Sequence, residues 1–421
     1  MKQALLLTLC CLLSLTAPAQ KYVGGDISML NKFIDNGAVY NDKDGNSVQP
    51  LTFFKQQGWN ALRLRLFVDP TKATESEKKQ GAVQDLEYVK ALGKSIKDAG
   101  YSLMLDFHYS DTWTHPGQHA TPSAWSSMTV AERTTQIGKY TRECLETLNA
   151  AGATPDFIQT GNEIIDGMLY PSGHVYADGS APEGGSWANF TSYLAAAIKA
   201  CNEACPDAKI VIHTELHAPN DVPTFYNTLA KYPDIKYDII GLSYYPDFHG
   251  TVTSLGNILT QLENQHADKK IMIVETGYGF EWPLSGAKDQ YKNQYTLSEA
   301  GQKQFTTALI GMLNTHANVN GIFWWYPEYT LNNIVFVNGN ENWSKDFTDG
   351  YWNGALFHYK TGKAMAALYE LQTFLTNTHI DAITTKQQYN DVWYTLDGRR
   401  LTGTPSAKGI YIHGGRKVIV K

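Results

Sequence analysis

Short apolar runs rich in β-branched and aromatic residues recur along the chain, separated by helix-like segments. Eight of these runs read as strands: Tyr22 to Ile27, Ala61 to Val68, Ser102 to Tyr109, Phe157 to Thr160, Lys209 to Thr214, Ile239 to Tyr245, Lys270 to Glu275 and Gly321 to Tyr326. Several are apolar nearly throughout, as strands covered by helices on their outer side should be. Eight strands alternating with helices predict an α/β chain closed into a (β/α)8 TIM barrel. A doubly wound open sheet is the competing architecture. It rarely continues to eight such units, and no Gly-rich phosphate loop follows the first run.

Long polar segments follow strands three, four, seven and eight, at 110–128, 164–187, 276–299 and 327–354. The loops at the C-terminal ends of barrel strands build active sites, so the site is expected there before any catalytic residue is named. Near residue 378 the pattern changes. Asp391 to Lys421 holds β-rich pieces at Val392 to Thr395, Gly409 to Ile412 and Lys417 to Lys421, with turns at Asp397-Gly398 and Gly414-Gly415. The expectation is a barrel over 20–378 and a small antiparallel β module over 379–421.

The first residues read as an address. Lys2 precedes an apolar run from Ala4 to Leu15, and Ala17-Pro18-Ala19 has the small-x-small pattern of a signal-peptidase site. Residues 1–19 are therefore expected to be a cleaved signal peptide, and the mature chain to be secreted or periplasmic. The apolar run is too short for a permanent anchor, and no later stretch approaches about 18 unbroken apolar residues, so the mature chain is not expected to insert in a membrane. Neither Cys10 nor Cys11 has the Leu-x-small pattern that precedes a lipidated cysteine.

Cys144, Cys201 and Cys205 remain, too few for a disulfide framework, and they read as buried thiols. With 35 basic and 41 acidic residues the net charge is only −6 and no long run has one sign, which argues against nucleic acid as a partner. The 25 Tyr and 10 Trp are the unusual quantity. Their flat apolar faces and polar edges suit sugar rings, although any single one serves core packing equally well.

Cleaving a glycosidic bond needs a carboxylic acid to protonate the leaving oxygen and a carboxylate to meet the oxocarbenium-like carbon. Glu163, in Gln159-Thr160-Gly161-Asn162-Glu163, ends strand four, and Glu275, in Ile271-Met272-Ile273-Val274-Glu275, ends strand seven. One Glu after an apolar run is commonly a solvated strand end, but two at matching ends of strands four and seven point to an acid/base and a nucleophile. Asn162 is placed to bond a sugar 2-hydroxyl. Tyr244 and Tyr245 close strand six before Pro246, and a phenol there, with Tyr244 taken first, would orient the nucleophile. Arg63 and Arg65 alternate with leucines on strand two and so share the lumen face, where an Arg beside Glu275 would hold it ionised. Arg65, nearer the strand end, is the stronger candidate, and Arg63 the more easily structural.

Strand three ends Asp106-Phe107-His108-Tyr109-Ser110-Asp111-Thr112-Trp113. Asp106, His108 and Asp111 match a metal site only loosely. Sugar-hydroxyl contacts from Asp106 and His108, with Trp113 stacking on a ring, fit a pocket better, and Asp111 joins the same candidate set. One of Trp324 and Trp325 should form the pocket floor, Trp324 being slightly favoured.

These motifs resemble glycoside hydrolase family 53, the arabinogalactan endo-β-1,4-galactanases. Gly24-Gly25-Asp26-Ile27-Ser28, the Arg63 to Pro70 segment, Asp106 to Trp113, Gly161-Asn162-Glu163, Ser243-Tyr244-Tyr245-Pro246 and Val274-Glu275-Thr276 occur in the family's order, from about Tyr22 to about Leu368. The resemblance implies Glu163 as acid/base, Glu275 as nucleophile, retention of configuration, and β-1,4-galactan of plant cell walls as the substrate; the chain is expected to be a monomer. No cofactor is implied. Some bacterial relatives carry an Asp-x-Asp-x-His-x-Asn calcium loop after the nucleophile strand. Tyr278 to Tyr295 has no such array, and Asp346 and Asp349 in loop eight read better as exposed polar residues. Gly25 stands where relatives often have Ala, a change expected to be harmless. The tail resembles C-terminal modules of some secreted bacterial proteins that serve sorting or cell-surface attachment, and a structural appendage is the alternative. Two rival functions remain: a related enzyme cutting another β-linked glycan such as mannan or glucan, and a glycan-binding barrel without turnover. The presence of both carboxylates, Asn162 and the strand-six Tyr argues against the second.

Overall fold

The computed structural model describes residues 20–216, 218, 220–284, 286–291, 294–330, 351–376, 393–395, 401, 403–413 and 416–420. The expected signal peptide, Asp346, Asp349 and the turn pairs at 397–398 and 414–415 lie outside the described residues. Eight parallel strands close into a barrel in chain order. They are β1 (Tyr22–Asp26), β2 (Ala61–Leu66), β3 (Ser102–Phe107), β4 (Phe157–Thr160), β5 (Lys209–Glu215), β6 (Ile239–Tyr244), β7 (Lys270–Thr276) and β8 (Val319–Trp325). β8 returns to β1, with Asp26 opposite Trp325. The eight expected strands are all present, and the (β/α)8 architecture is as the sequence pattern predicts.

Side-chain alternation sorts each strand into an outer and a lumen face. Leu62, Leu64, Leu103 and Leu105 face outward and join one core with Val89, Leu92 and Ile96 of the helix Leu86–Asp98. Burying each such leucine contributes roughly 1.5–3 kcal/mol. On the lumen face, Met104, Phe157, Val211, Ile239, Met272 and Phe323 form an apolar plug. Two residues further along, the inward positions become polar: Asp106 after Met104, Gln159 after Phe157 and His213 after Val211, all fully buried. Polar chemistry is thereby confined to the C-terminal end of the barrel.

The barrel closes tightly at β1. A Cβ on Gly24 would lie 1.7 Å from the Ala61 carbonyl oxygen, so only glycine allows this approach of β1 to β2. Gly25 is approached almost as closely. A Cβ there would sit 2.6 Å from Pro327 Cγ and 2.8 Å from the Trp324 carbonyl oxygen, so the segment after β8 is packed against a missing side chain.

Cys144, Cys201 and Cys205 are buried free thiols. No helix among the described residues is long and apolar enough to cross a membrane. The chain divides into a unit that runs through Thr376 and a second from Asn377. The second contains a three-stranded antiparallel sheet of β9 (Trp393–Thr395), β10 (Gly409–His413) and β11 (Arg416–Val420), with β10 in the middle. The Trp393 ring stacks on His413 at 4.2 Å.

Candidate active site

Arg63 is the hub of the polar layer. Its Nη1 donates to Asp26 Oδ2 at 2.8 Å and its Nη2 to Asp106 Oδ2 at 2.8 Å, while Nη2 also stands 2.9 Å from Glu275 Oε1. Burial disfavours its charge, but Asp106, Glu275 and Asp26 outweigh that and hold the guanidinium above its usual pKa. Three carboxylates converge on one buried cation, so removing Arg63 would leave buried negative charge without its compensation.

Glu275 reaches this hub through an irregularity in β7. Leu242 of β6 is opposite Ile273, yet the next residue, Ser243, is opposite Glu275, so β7 carries one extra residue, Val274. Val274 packs in the lumen plug and Glu275 meets Arg63 in the lumen, so two consecutive residues face inward. Strict alternation would have sent one of them outward, and a bulge re-aims it. The other carboxylate oxygen, Oε2, accepts a hydrogen bond from the Tyr245 phenol at 3.1 Å. Burial pushes Glu275 up to about 7, with Arg63 pulling the opposite way.

Glu163 is held differently. Gly161 (φ 104°) and Glu163 (φ 50°) both take left-handed backbone, turning the chain sharply at the end of β4. For a glutamate this conformation is strained, and such strain gathers at functional sites. The Glu163 amide donates to His213 Nδ1 at 3.2 Å, and Gln159 Nε2 donates to the same nitrogen at 2.9 Å. His213 therefore carries its proton on Nε2, 2.8 Å from Ser243 Oγ. Burial, then Arg63, holds His213 well below its ordinary pKa and keeps the ring neutral. Glu163 is pushed well above the usual carboxylate range by burial, then by Glu275 and Glu215, against a hydrogen bond from Ser243 that lowers it. Among the described residues Glu275 has a cation at ion-pair distance and Glu163 has none. The proton that the two carboxyls retain accordingly resides on Glu163.

Glu163, Glu275, Asn162 and Trp113 line one cavity of about 350 Å³, together with Tyr245 and Trp325. Asn162 is fixed by Nδ2 donating to the Thr114 carbonyl at 2.8 Å and by Oδ1 accepting from Arg63 Nη2 at 3.1 Å.

Other expected contacts lie elsewhere. Tyr244 is on the outer face of β6, its phenol donating to the Gly250 carbonyl at 2.9 Å, and its neighbour Tyr245 is the one that turns inward. Trp324 likewise faces outward, with Nε1 donating to the Gly354 carbonyl at 2.7 Å. Trp325, opposite the lumen residue Asp26, forms the floor instead. Arg65 does not reach Glu275. It donates to Asp26 Oδ1 at 2.8 Å and to the Tyr326 phenol at 2.6 Å, beneath the rings of Trp113 and Trp325.

Asp106 and His108 are buried and are not among the residues lining the cavity. Asp106 binds Arg63, Gln159 and His108, and His108 Nδ1 lies 2.8 Å from Thr114 Oγ1. Neither has a face toward the cavity. Asp111 folds its own loop by accepting from the Ser123 amide at 2.7 Å and from the Ser123 hydroxyl. Among the described residues no cluster of three or more His, Cys, Asp or Glu is placed to hold a metal ion.

Asp26, Gln159, His213 and Ser243 were not singled out as site residues from the sequence. Each stands in phase with a lumen-facing residue on its own strand, and that phase is the signal that finds them. Glu77, Gln80 and Tyr329, which also line the cavity, come from segments without such a period.

The closed barrel and its two cavity glutamates define the class, a barrel glycoside hydrolase. A family model described as glycosyl hydrolase family 53 matches residues 22–371. The arabinogalactan endo-beta-1,4-galactanase A of Emericella nidulans is 30% identical over 352 residues, covering 80% of this chain and 93% of that one. A solved structure, the Ignisphaera aggregans GH53 catalytic domain, superposes with TM-score 0.71 at 29% identity and covers 85% of this chain and 96% of its own. A structure from a study of two fungal beta-1,4-galactanases gives TM-score 0.68 at 25% identity, covering 84% and 99%. The chain belongs to glycosyl hydrolase family 53.

Proposed function

We propose that the chain is an arabinogalactan endo-β-1,4-galactanase that retains anomeric configuration, with Glu275 as nucleophile and Glu163 as acid/base. The observation that carries the roles is the asymmetry of the two carboxyls. Glu275 is held by Arg63 and Tyr245, which favour the carboxylate, whereas Glu163 has no cation beside it among the described residues and is pushed towards its protonated form by burial and by Glu275. The substrate assignment is supported by relatives named as galactanases at about 30% identity.

In the first step a Glu275 oxygen bonds to the anomeric carbon as the glycosidic C–O bond breaks, and Glu163 gives its proton to the leaving oxygen. Esterification removes the charge of Glu275, the pKa of Glu163 falls, and Glu163 then takes a proton from the incoming water as the ester bond breaks. Carboxyls and water suffice, so the reaction calls for no cofactor. The leader pattern at 1–19 supports export of the enzyme to where cell-wall polysaccharide is met.

The test is reducing-sugar release from a panel of β-1,4-galactan, mannan and glucan. Galactan degradation with the others untouched supports the reading. Cleavage of mannan or glucan alone, or tight retention on galactan without cleavage, overturns it.

A further inference from the structure

β5 ends in a carboxyl for which the proposed mechanism has no role. Glu215 follows His213 by one alternation on the lumen face and is opposite Ser243 of β6, which is itself opposite Glu275 of β7. It therefore occupies the ring of strand ends between Glu163 on β4 and Glu275 on β7, and it is only 8% exposed. Its Oε2 lies 3.1 Å from His249 Nε2. His249 ends the short helix Pro246–His249, and its Nδ1 accepts the Tyr245 amide N–H at 3.0 Å. A ring nitrogen that accepts bears no proton, so the ring proton is on Nε2 and faces Glu215. The same Tyr245 donates its phenol to Glu275. An unbroken line of contacts thus runs from Glu215 through His249 and Tyr245 to the nucleophile, and its first member stands beside the acid/base.

We propose that Glu215 and His249 are a positioning pair serving both glutamates: His249 fixes the Tyr245 backbone so that the phenol meets Glu275, and Glu215 holds the His249 ring while standing in the ring of strand ends between Glu163 and Glu275. The inference rests on the roles given to Glu163 and Glu275. Glu163 is faced by Glu215 and His213 from β5, Ser243 from β6, Glu275 from β7 and, further off, Arg63 from β2, and burial and the two carboxylates act in the same direction to raise its pKa. Glu275 is faced by Arg63, Asp106, Asp26, Tyr245 and, across the cavity, Glu163, and the Tyr245 bond lowers its pKa. The two members of the pair therefore act on opposite limbs of the pH profile.

The experiment measures kcat/KM against pH on soluble galactan for the full chain and its variants, with thermal melts as a folding control. Glu215→Gln keeps the shape and removes the charge, so the alkaline limb should move to lower pH by about one unit, while the acid limb stays in place. His249→Ala frees Tyr245, so the acid limb should move to higher pH and kcat should fall more than KM changes. If His249→Ala fails to fold, His249→Gln carries that arm, and if Glu215→Gln fails to fold, the acid limb of the His249 variant decides. A loss of activity that is uniform across pH, with both limbs in place, overturns the proposal and leaves the pair a structural contact. Glu163→Ala, assayed on an aryl galactoside with a good leaving group, separates the two failures. Survival of the alkaline limb in that variant sinks the assignment of Glu163 itself. Loss of the limb there, with no shift in Glu215→Gln, sinks only the pair.

Discussion

Ser243 and Glu275 face each other across β6 and β7 because β7 carries one residue more than β6 between the matched pair Leu242 and Ile273 and this one. That extra residue brings the carboxylate onto the lumen face already occupied by Ser243 and Tyr245. It also settles which tyrosine can touch Glu275, since lumen positions on β6 fall at 243 and 245.

Tyr245→Phe and Tyr244→Phe should accordingly separate activity from stability. Removing the Tyr245 phenol takes a hydrogen bond from the ionised form of Glu275, so kcat should fall by roughly tenfold or more and the acid limb should move to higher pH. Tyr244→Phe leaves the Gly250 carbonyl with only the longer bond from Gln294 Nε2 at 3.5 Å and should lower stability by about 1 kcal/mol, with kcat/KM little changed. Steady-state kinetics and thermal melts on the two variants read this directly. The reverse pattern would show that β6 is wrongly phased.

The adjacent tryptophans of β8 make a second such pair. Trp324→Ala opens a hole in the outer core and removes the bond to Gly354, so it should cost about 3–5 kcal/mol of stability. Trp325→Ala removes an aromatic floor from the cavity, and KM on galactan should rise roughly tenfold with a smaller change in melting temperature. A larger melting shift for Trp325→Ala than for Trp324→Ala would refute the assignment.

The eight strands were legible because each announces itself by a run rich in apolar residues, and the two glutamates because each is a charged residue at or just after the end of such a run. What failed was the phase at those ends. Tyr244 or Tyr245, and Trp324 or Trp325, can be chosen only by counting from a residue known to face inward, such as Asp26 or Ser243, and the bulge at Val274 would have defeated the same count on β7. Asp106 and His108 escaped for another reason. A polar residue in phase with the lumen looks alike whether it meets substrate or only other protein groups, and the closed network among Arg63, Asp106, Gln159 and His108 exists only in three dimensions.

The raised pKa of Glu163 makes its ionisation a burden on the fold, and the sign is definite. A carboxyl whose folded pKa lies above its unfolded value of about 4.3 contributes stability that is full below that value and is lost as pH rises through the folded pKa. Glu163→Gln has no such dependence at this position. Its melting temperature relative to wild type should therefore climb from acid to alkaline pH, by an amount that grows through neutrality. Melts of both proteins from pH 4 to pH 9 check this, and a constant difference would mean that the group is not shifted upward.

The mechanism itself yields the sharpest distinction, because the two glutamates fail in different ways. In a retaining site, as proposed for this chain, the carboxyls stand about 5–5.5 Å apart, too close for a water between the nucleophile and the anomeric carbon, and the proposal then requires Glu275 to attack directly. With Glu163→Ala the enzyme should still be glycosylated by substrates whose leaving group needs no proton, and hydrolysis of the intermediate should be slow because water has lost its base. Azide needs no base, and it should restore turnover by attacking the intermediate from the β face to give a β-galactosyl azide. With Glu275→Ala no intermediate can form, and azide can act only from the opposite face, giving the α-product. Mass spectrometry should then find the galactosyl adduct on Glu275 in the first variant and none in the second. NMR of the wild-type products completes the test: the β-anomer must appear first, and an initial α-anomer would make the enzyme inverting and remove Glu275 from its role as nucleophile.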